Sequence, residues 1–403
     1  MIYYEWPMID NNLTKKVYAS VETPYFVFYP EIYQNNLDKF MNAFRSRYSN
    51  LMLGYSFKTN NLPELIQLAK ENGLLAEVVS KEEYDLALSY GFHETEIIFN
   101  GPGKKENDIR EALIGGSQVN LDSIEEVNIA INLAKENSSL NFKVGLRINY
   151  YPEKNTRSRF GIFVDTEDLK DALLKINDVD NLVINGLHIH TSYDRSLISY
   201  KCRLDLIFGI IRDYNEFLAL EYINLGGGFY GEMPNELKLQ FNANVPTFDD
   251  YAELICSEMK KFFQDESVKL IFEPGIALVG NTMHYVCEVL SVKMGFGKGV
   301  ANTNGSIQVV KPTMHNLNMP ISLIPKDLKK SVTGIFDIGG YTCLEHDIMY
   351  KGYDGQIGVG DLLIFENVGA YTTVLKPSFI RGMPKIIQIG RNEWNIIHEN
   401  RPI

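Results

Sequence analysis

Cysteine is scarce: Cys202, Cys256, Cys287 and Cys343 are the only four in 403 residues, and they lie far apart. That spacing excludes a disulfide framework or a zinc module and suits free thiols in a reducing compartment. A basic excess is missing too, since 39 Lys and Arg stand against 51 Asp and Glu, a net charge of −12. This balance repels phosphate backbones and forms no basic stripe, so nucleic acid is not an expected partner. No apolar run is long enough to span a bilayer, and the N-terminus lacks a basic segment leading into an apolar one. The expectation is therefore a cytoplasmic protein with no membrane partner. Internal repeats and low-complexity linkers are absent as well. What remains is a globular balance, 45% hydrophobic and 22% charged, in a chain long enough for two domains.

Alternation then organises the chain. Residues up to about Val21 are mixed. Thr23–Tyr29 reads as a strand and is followed by an amphipathic helix through Ile32, Leu37, Phe40 and Phe44. Apolar strand candidates follow at Leu51–Phe57, Leu75–Val79, Glu96–Asn100, Gln118–Leu121, Phe142–Ile148, Val183–His190, Tyr222–Leu225 and Leu270–Phe272. Helical patterns such as Pro63–Asn72, Lys81–Tyr90, Ile124–Lys135 and Tyr200–Phe217 separate them. Eight strands with intervening helices predict a closed parallel (β/α)8 barrel, with a doubly wound open sheet as the alternative. After Gly275 short strand-like runs (Tyr285–Val292, Ser306–Val310, Gly334–Asp337, Asp361–Phe365, Pro384–Gly390) predict an antiparallel β domain. The expected division is a barrel over 26–278 and a β domain over 1–25 and 279–403.

Chemistry in such a barrel sits where the strands end. Those ends present Lys58, Glu77 with Ser80, Asn100, Asp122, Arg147, His190 with Thr191 and Ser192, Gly226–Gly228, and Glu273 with Pro274 and Gly275. So many polar groups at one rim exceed what stability requires. An amine at the end of a buried strand is suited to bond a carbonyl cofactor. The glycine run after the seventh strand lets backbone N–H groups approach a phosphate. A carboxylate fixed by a Pro-Gly turn suits a pyridine nitrogen that must stay protonated. His188 and His190 are expected to point to opposite sides of their strand. On that expectation only His190 faces the mouth, to lie flat on an aromatic ring, and the pair binds no metal.

The order and spacing of TPYFVFY, YSFKTN, AEVVSKEEYDLAL, VNLDS, GLRIN, SRFGI, GLHIH, LGGGF, FEPG, GYTCLEHD and VGDLLIFENVGAYT resemble the fold-type III pyridoxal-phosphate amino acid decarboxylases. That family includes the diaminopimelate, ornithine, arginine and carboxynorspermidine enzymes. The resemblance spans nearly the whole chain. It implies an alanine-racemase-like (β/α)8 barrel with a C-terminal antiparallel β-barrel or sandwich domain that includes the N-terminal strand. It also implies pyridoxal 5'-phosphate as cofactor, a small-molecule amino acid as substrate, and a homodimer with shared active sites. Lys58 is implied as the lysine bonded to the cofactor aldehyde, and Glu273 as the partner of its ring nitrogen. His190 is the implied stacking residue, and Ser192, Gly227, Gly228 and Tyr371 the phosphate contacts, with Arg147 and Gly275 also lining the cofactor site. Cys343 is implied as the proton donor, while Asp347 matches an acidic position of the same motif.

Departures from the family cluster in one functional region. Its EPGR reads Glu273-Pro274-Gly275-Ile276, an Arg-Pro pair that grips a distal carboxylate reads Lys311-Pro312, and a nearby tyrosine reads His315. Leu344 follows Cys343 where an acidic residue receives a distal amine. A single Thr191 also stands between His190 and Ser192, where the family has two spacer residues. Losing several charge partners together points to another substrate more than to a weakened one. The expectation is decarboxylation of an α-amino acid with a non-standard or conjugated side chain, carboxy-polyamine-like or from a siderophore or antibiotic pathway, rather than diaminopimelate or ornithine. Lys311, His315, Glu345, Asp347 and Tyr371 are the expected substrate contacts. A racemase of the same fold and a non-catalytic regulatory homologue are the competing readings. Glu273 argues against the first, because it favours the stronger electron sink, and the presence of both Lys58 and Cys343 argues against the second.

Overall fold

The computed structural model describes residues 11–150, 158–241 and 244–400. They divide into two units. One comprises Asp38–Tyr230 and Asn244–Ala277; the other comprises the chain up to Leu37, Gly231–Ala243, and the chain from Leu278. The expected boundary after residue 25 thus falls later, because the strand Tyr25–Phe28 (β1) hydrogen-bonds strands of the C-terminal region.

The first unit is a closed parallel barrel. Its strands are β2 (Leu51–Ser56), β3 (Leu75–Val78), β4 (Ile97–Phe99), β5 (Gln118–Leu121), β6 (Phe142–Arg147), β7 (Leu182–His188), β8 (Leu218–Asn224) and β9 (Lys269–Phe272), each beside the next. Leu51 opposite Leu270 and Leu53 opposite Phe272 close the ring, which decides against the open sheet. Helices whose apolar faces are set by 3.6-residue spacing cover the outside. Ser80 and Ser123 cap two of them by accepting the backbone N–H of Glu83 and Glu126. An aromatic cluster anchors the turn after β8. Phe229 packs against Phe40, Tyr200, Tyr251 and Phe272, with ring centroids 4.8–5.2 Å apart.

Inside the barrel Tyr222 takes the space that two glycines leave. A Cβ on Gly186 would lie 2.0 Å from its ring, and one on Gly145 would lie 2.2 Å from its hydroxyl. Leu75, Ile98 and Ile271 surround the same side chain. Polar groups begin one layer above.

The second unit holds a nine-stranded sheet of β1 with β10 (Met283–Met294), β11 (Gly299–Thr303), β12 (Ile321–Ile324), β13 (Val332–Gly339), β14 (Ile348–Ile357), β15 (Leu362–Phe365), β16 (Lys385–Ile389) and β17 (Trp394–His398). It is mixed, not antiparallel as expected: β1 runs parallel to β16, and β11 parallel to β13. Chain pattern alone does not reveal pairing direction between strands distant in sequence. The expected strand Ser306–Val310 is the short helix Ile307–Val310, capped by Ser306, whose hydroxyl accepts Gln308 N–H at 3.1 Å. A four-residue apolar run fits either element, and here the cap decides. The helix Asn11–Ser20 lies where the sequence gave no clear pattern. Its Leu13 and Val17 join Tyr25, Val27, Val286, Ile364 and Ile387 in the core of this unit.

Candidate active site

Eight strand ends carry the polar groups of the barrel rim. Lys58 follows β2, and its Nζ donates to Glu77 Oε2 at the end of β3. Lys58 keeps 32% of its side chain exposed, whereas Glu77 keeps 1%. The amine therefore faces the mouth and the carboxylate lies beneath it. Gly275 brings the two key turns together: Thr59 Oγ1 occupies the place a Cβ there would need, at 2.1 Å, so the turn after Lys58 rests on the turn after Glu273.

A relay of amides links the two carboxylates. Asn100 Nδ2 donates to Glu77 Oε1 at 3.0 Å and to Glu273 Oε1 at 2.8 Å. Asn224 Nδ2 gives Glu273 Oε1 a second bond at 2.7 Å, and His188 Nε2 lies 3.4 Å from Glu273 Oε2. Below, Asn120 donates to Asn100 Oδ1 at 2.8 Å and Tyr222 to Asn120 Oδ1 at 2.9 Å. Burial by itself would raise the Glu273 pKa, but His188, the Lys58 charge and the Asn100 amide outweigh it and hold the carboxyl far below its ordinary range. Glu273 is thus an ionised acceptor in a water-poor setting.

His188 and His190 need a correction. Residues two apart on a strand share a face, and both side chains serve the same interior. His188 sits on Glu273, while His190 Nδ1 accepts the Gly227 N–H at 3.1 Å. Burial first, then the charges of Lys58, Arg147 and Arg203, hold the His190 imidazole well below its ordinary pKa. That favours the neutral ring, and Nδ1 as acceptor puts the proton of that form on Nε2. Gly226 makes room for it, because a Cβ there would lie 2.6 Å from the His190 Cβ and 2.8 Å from Nδ1.

Arg147, at the end of β6, pairs with Asp122 Oδ1 at 3.1 Å and lies 4.6 Å from the Phe160 ring. Ser192 is exposed beyond β7. In the second unit, Cys343 is exposed on the loop between β13 and β14, beside exposed Glu345 and His346. Asp347 differs from the expected substrate contact. It is buried, and its carboxylate accepts Ser306 Oγ at 3.1 Å, Ile307 N–H at 2.7 Å and Thr342 N–H at 3.0 Å. These bonds clamp the Cys343 loop, because a buried carboxylate takes the nearest orphan N–H donors. Tyr371 holds a left-handed backbone with φ 57°, a strained conformation for an aromatic residue. Lys311 is buried with its Nζ on the Leu317 carbonyl at 3.0 Å. Among the described residues no group of three or more His, Cys, Asp or Glu is placed to hold a metal ion.

Sequence reasoning passed over Asn120, Tyr222, Asn224 and Arg203, and turned His188 away from the site. A signal was present: Asn120 falls on the inward parity of β5, and Tyr222 and Asn224 on that of β8. Arg203 falls on the buried stripe Tyr200, Leu204, Ile207 and Ile211 of the helix Leu197–Tyr214, where a cation is out of place unless it has work to do.

A parallel barrel with an amine over one buried carboxylate, and a second ionised carboxylate across an amide bridge, defines an enzyme of carbonyl-cofactor chemistry. Residues 34–280 match the family described as "Pyridoxal-dependent decarboxylase, pyridoxal binding domain". The chain belongs to the pyridoxal-dependent decarboxylases, carboxy-lyases that work through pyridoxal 5'-phosphate. It is 26% identical to the diaminopimelate decarboxylase of Archaeoglobus fulgidus, over 97% of this chain and 93% of that one. It is 28% identical to the L-glutamyl-[BtrI acyl-carrier protein] decarboxylase of Niallia circulans, over 91% and 88%. In fold it is similar to the structure of diaminopimelate decarboxylase from M. jannaschii in complex with L-lysine (TM-score 0.81, 22% identity, 96% and 92% covered).

The residues present fit this cofactor. The Gly226–Gly228 turn packs too closely on its neighbours for side chains, which leaves its backbone bare: a Cβ on Gly227 would lie 2.5 Å from the Glu273 carbonyl oxygen, and one on Gly228, at φ 92°, 2.9 Å from that of Thr191. An amine, a flat neutral imidazole and an ionised carboxylate complete a donor set suited to an aldehyde, a ring face and a ring nitrogen.

Proposed function

We propose that this chain removes the α-carboxylate of a small-molecule amino acid whose side chain is non-standard or conjugated, rather than of diaminopimelate or ornithine. The cofactor, when bound, supplies an electron sink for the bond that releases CO₂. Lys58 would bond its aldehyde carbon, Glu273 would keep its ring nitrogen protonated, and His190 would lie against its ring. Gly227, Gly228, Ser192 and Tyr371 take the phosphate, with Arg147 and Gly275 lining the site. Cys343, from a second copy of the chain in a homodimer, returns a proton to Cα.

One observation carries the substrate reading. Lys311, 3% exposed, has a carbonyl as its acceptor and makes no ion pair with a carboxylate among the described residues. Burial, then the Lys351 charge, pushes its amine down to about 8, and burial and Lys311 lower His315 in turn. Such a patch repels a distal ammonium and accepts a carbonyl or carboxylate at the far end of a side chain. Leu344 offers no charge beside Cys343, which leaves Glu345 and His346 for further contacts. The Niallia circulans relative is named for a carrier-linked amino acid, in keeping with a conjugated substrate. The four unbonded cysteines suit a cytoplasmic setting.

The test is CO₂ release by purified protein with added pyridoxal 5'-phosphate. Diaminopimelate and ornithine are compared with carboxy-polyamines and with citryl- and carrier-linked amino acids. A conjugated substrate should lead by about tenfold or more in kcat/KM, the scale of one mismatched polar contact. Preference for diaminopimelate or ornithine would overturn the reading, and inverted amino acid without CO₂ would replace it with racemisation.

A further inference from the structure

Three cations act on His190, and they are not treated alike. Lys58 has Glu77 and Arg147 has Asp122. Arg203 is fully buried and makes no ion pair with a carboxylate among the described residues. Its guanidinium is held by neutral oxygens instead. Nη1 donates to the carbonyls of Leu225 at 3.4 Å and Gly227 at 3.3 Å, and Nη2 to the Asp194 carbonyl at 2.9 Å and Ser199 Oγ at 3.3 Å. The Tyr200 ring covers it at 4.1 Å, and Nε has no hydrogen-bond partner among the described residues. An uncompensated buried charge is costly, so a fold that keeps one has a use for it.

The contacts say where. Two of the four acceptors are carbonyls of the glycine turn, and Tyr200 OH adds a second bond to the Gly227 carbonyl at 2.9 Å. In a planar trans peptide the C=O and the following N–H point in opposite directions. Drawing the Gly227 carbonyl toward the guanidinium therefore turns the Gly228 N–H away from it. Drawing back the Leu225 carbonyl likewise aims the Gly226 N–H at Asn224 Oδ1, 2.8 Å away. The turn after β9, Glu273-Pro274-Gly275-Ile276, brings no cation of its own.

We propose that Arg203 is the positioning residue and charge reserve of the phosphate subsite: from behind the glycine turn it sets the backbone donors, and the cofactor's phosphate neutralises it. This rests on the reading of Gly227 and Gly228 as phosphate contacts. Arg203 touches the phosphate only through the turn, and it spares the rim a further lysine or arginine that would compete with Lys58 for Glu77 and Glu273.

The test uses the full-length protein stripped of cofactor and titrated with pyridoxal 5'-phosphate and with pyridoxal, followed by absorbance and by thermal shift. The wild type binds the phosphorylated form more tightly. Arg203→Met should lose that preference by about tenfold or more while its affinity for pyridoxal stays within about threefold. Arg203→Lys, which keeps charge but not the two-pronged grip, should fall between. Tyr200→Phe should keep the preference. An undiminished preference in Arg203→Met, or equal loss for both ligands, overturns the proposal. If Arg203→Met does not fold, the decision passes to Arg203→Lys with inorganic phosphate: stabilisation equal to wild type overturns the proposal, and weaker stabilisation supports it. A wild type indifferent to the phosphate would instead overturn the reading of the glycine turn, and this inference with it.

Discussion

The two sides of the barrel mouth handle charge in opposite ways. Around β2–β4 every charge is answered: Lys58 by Glu77, and Glu77 and Glu273 by one shared Asn100 amide. Around the turns after β7 and β8, among the described residues, a buried guanidinium is answered by carbonyls and a hydroxyl and by no carboxylate. A closed network fixes protonation and direction and leaves little affinity for another ion. An open one stores attraction for an anion that has yet to arrive. The barrel thus separates the groups suited to bond chemistry from those suited to hold a phosphate, on elements that follow one another round a single ring.

The largest effect should come from breaking the paired side. Lys58→Ala is expected to lower turnover by at least about 10³-fold and to abolish the visible absorbance of bound cofactor. If each site is shared across a homodimer, mixing it in equal amounts with Cys343→Ala should recover about a quarter of wild-type activity, because half the dimers would then hold one intact site. No recovery would place both residues in sites built within one chain.

Cutting the amide bridge comes next. Asn100→Ala removes a donor from two buried carboxylates and should cost about 1–3 kcal/mol of stability at neutral pH, read by urea denaturation. The pH dependence sharpens the point. Glu273 has a depressed pKa, so the stability it contributes is present above the ordinary carboxyl value of 4.5 and is lost only as pH falls through the depressed value. Without Asn100 that contribution should be smaller and its loss complete at a higher pH. An unchanged acid transition would mean that the bridge does not hold the charge of Glu273.

The smallest effect tests the edge of the paired side. Glu83 caps its helix by accepting the Val79 N–H at 2.9 Å, and burial, then the Glu77 charge, pushes its carboxyl up to about 7. A raised carboxyl binds its proton more tightly when folded, so stability should fall as pH rises from about 4.5 to about 7 and level off above. Glu83→Gln should flatten that slope in melting curves taken across the window. A slope that persists would assign it to another group.

Much of this was legible in the chain. Lys58, His190 and Glu273 stand out as polar residues ending apolar runs, and period-two burial makes such ends visible. The relay beneath them was harder to see. Asn120, Tyr222 and Asn224 look like ordinary strand residues until Gly145 and Gly186 open the space that Tyr222 fills. Asp347 read as a free acid because nothing in its neighbourhood announces that Ser306 and Ile307, some forty residues earlier, will take its oxygens.

By itself the sequence determined the alternation of strands and helices and the polar residues that end the strands, since local burial patterns are written in local spacing. Only the tertiary structure decided the mixed pairing of the second sheet, the partners of each buried carboxylate, and the neutral oxygens that hold Arg203. Those depend on which distant segments meet, and the strength of a buried charge is set by what meets it.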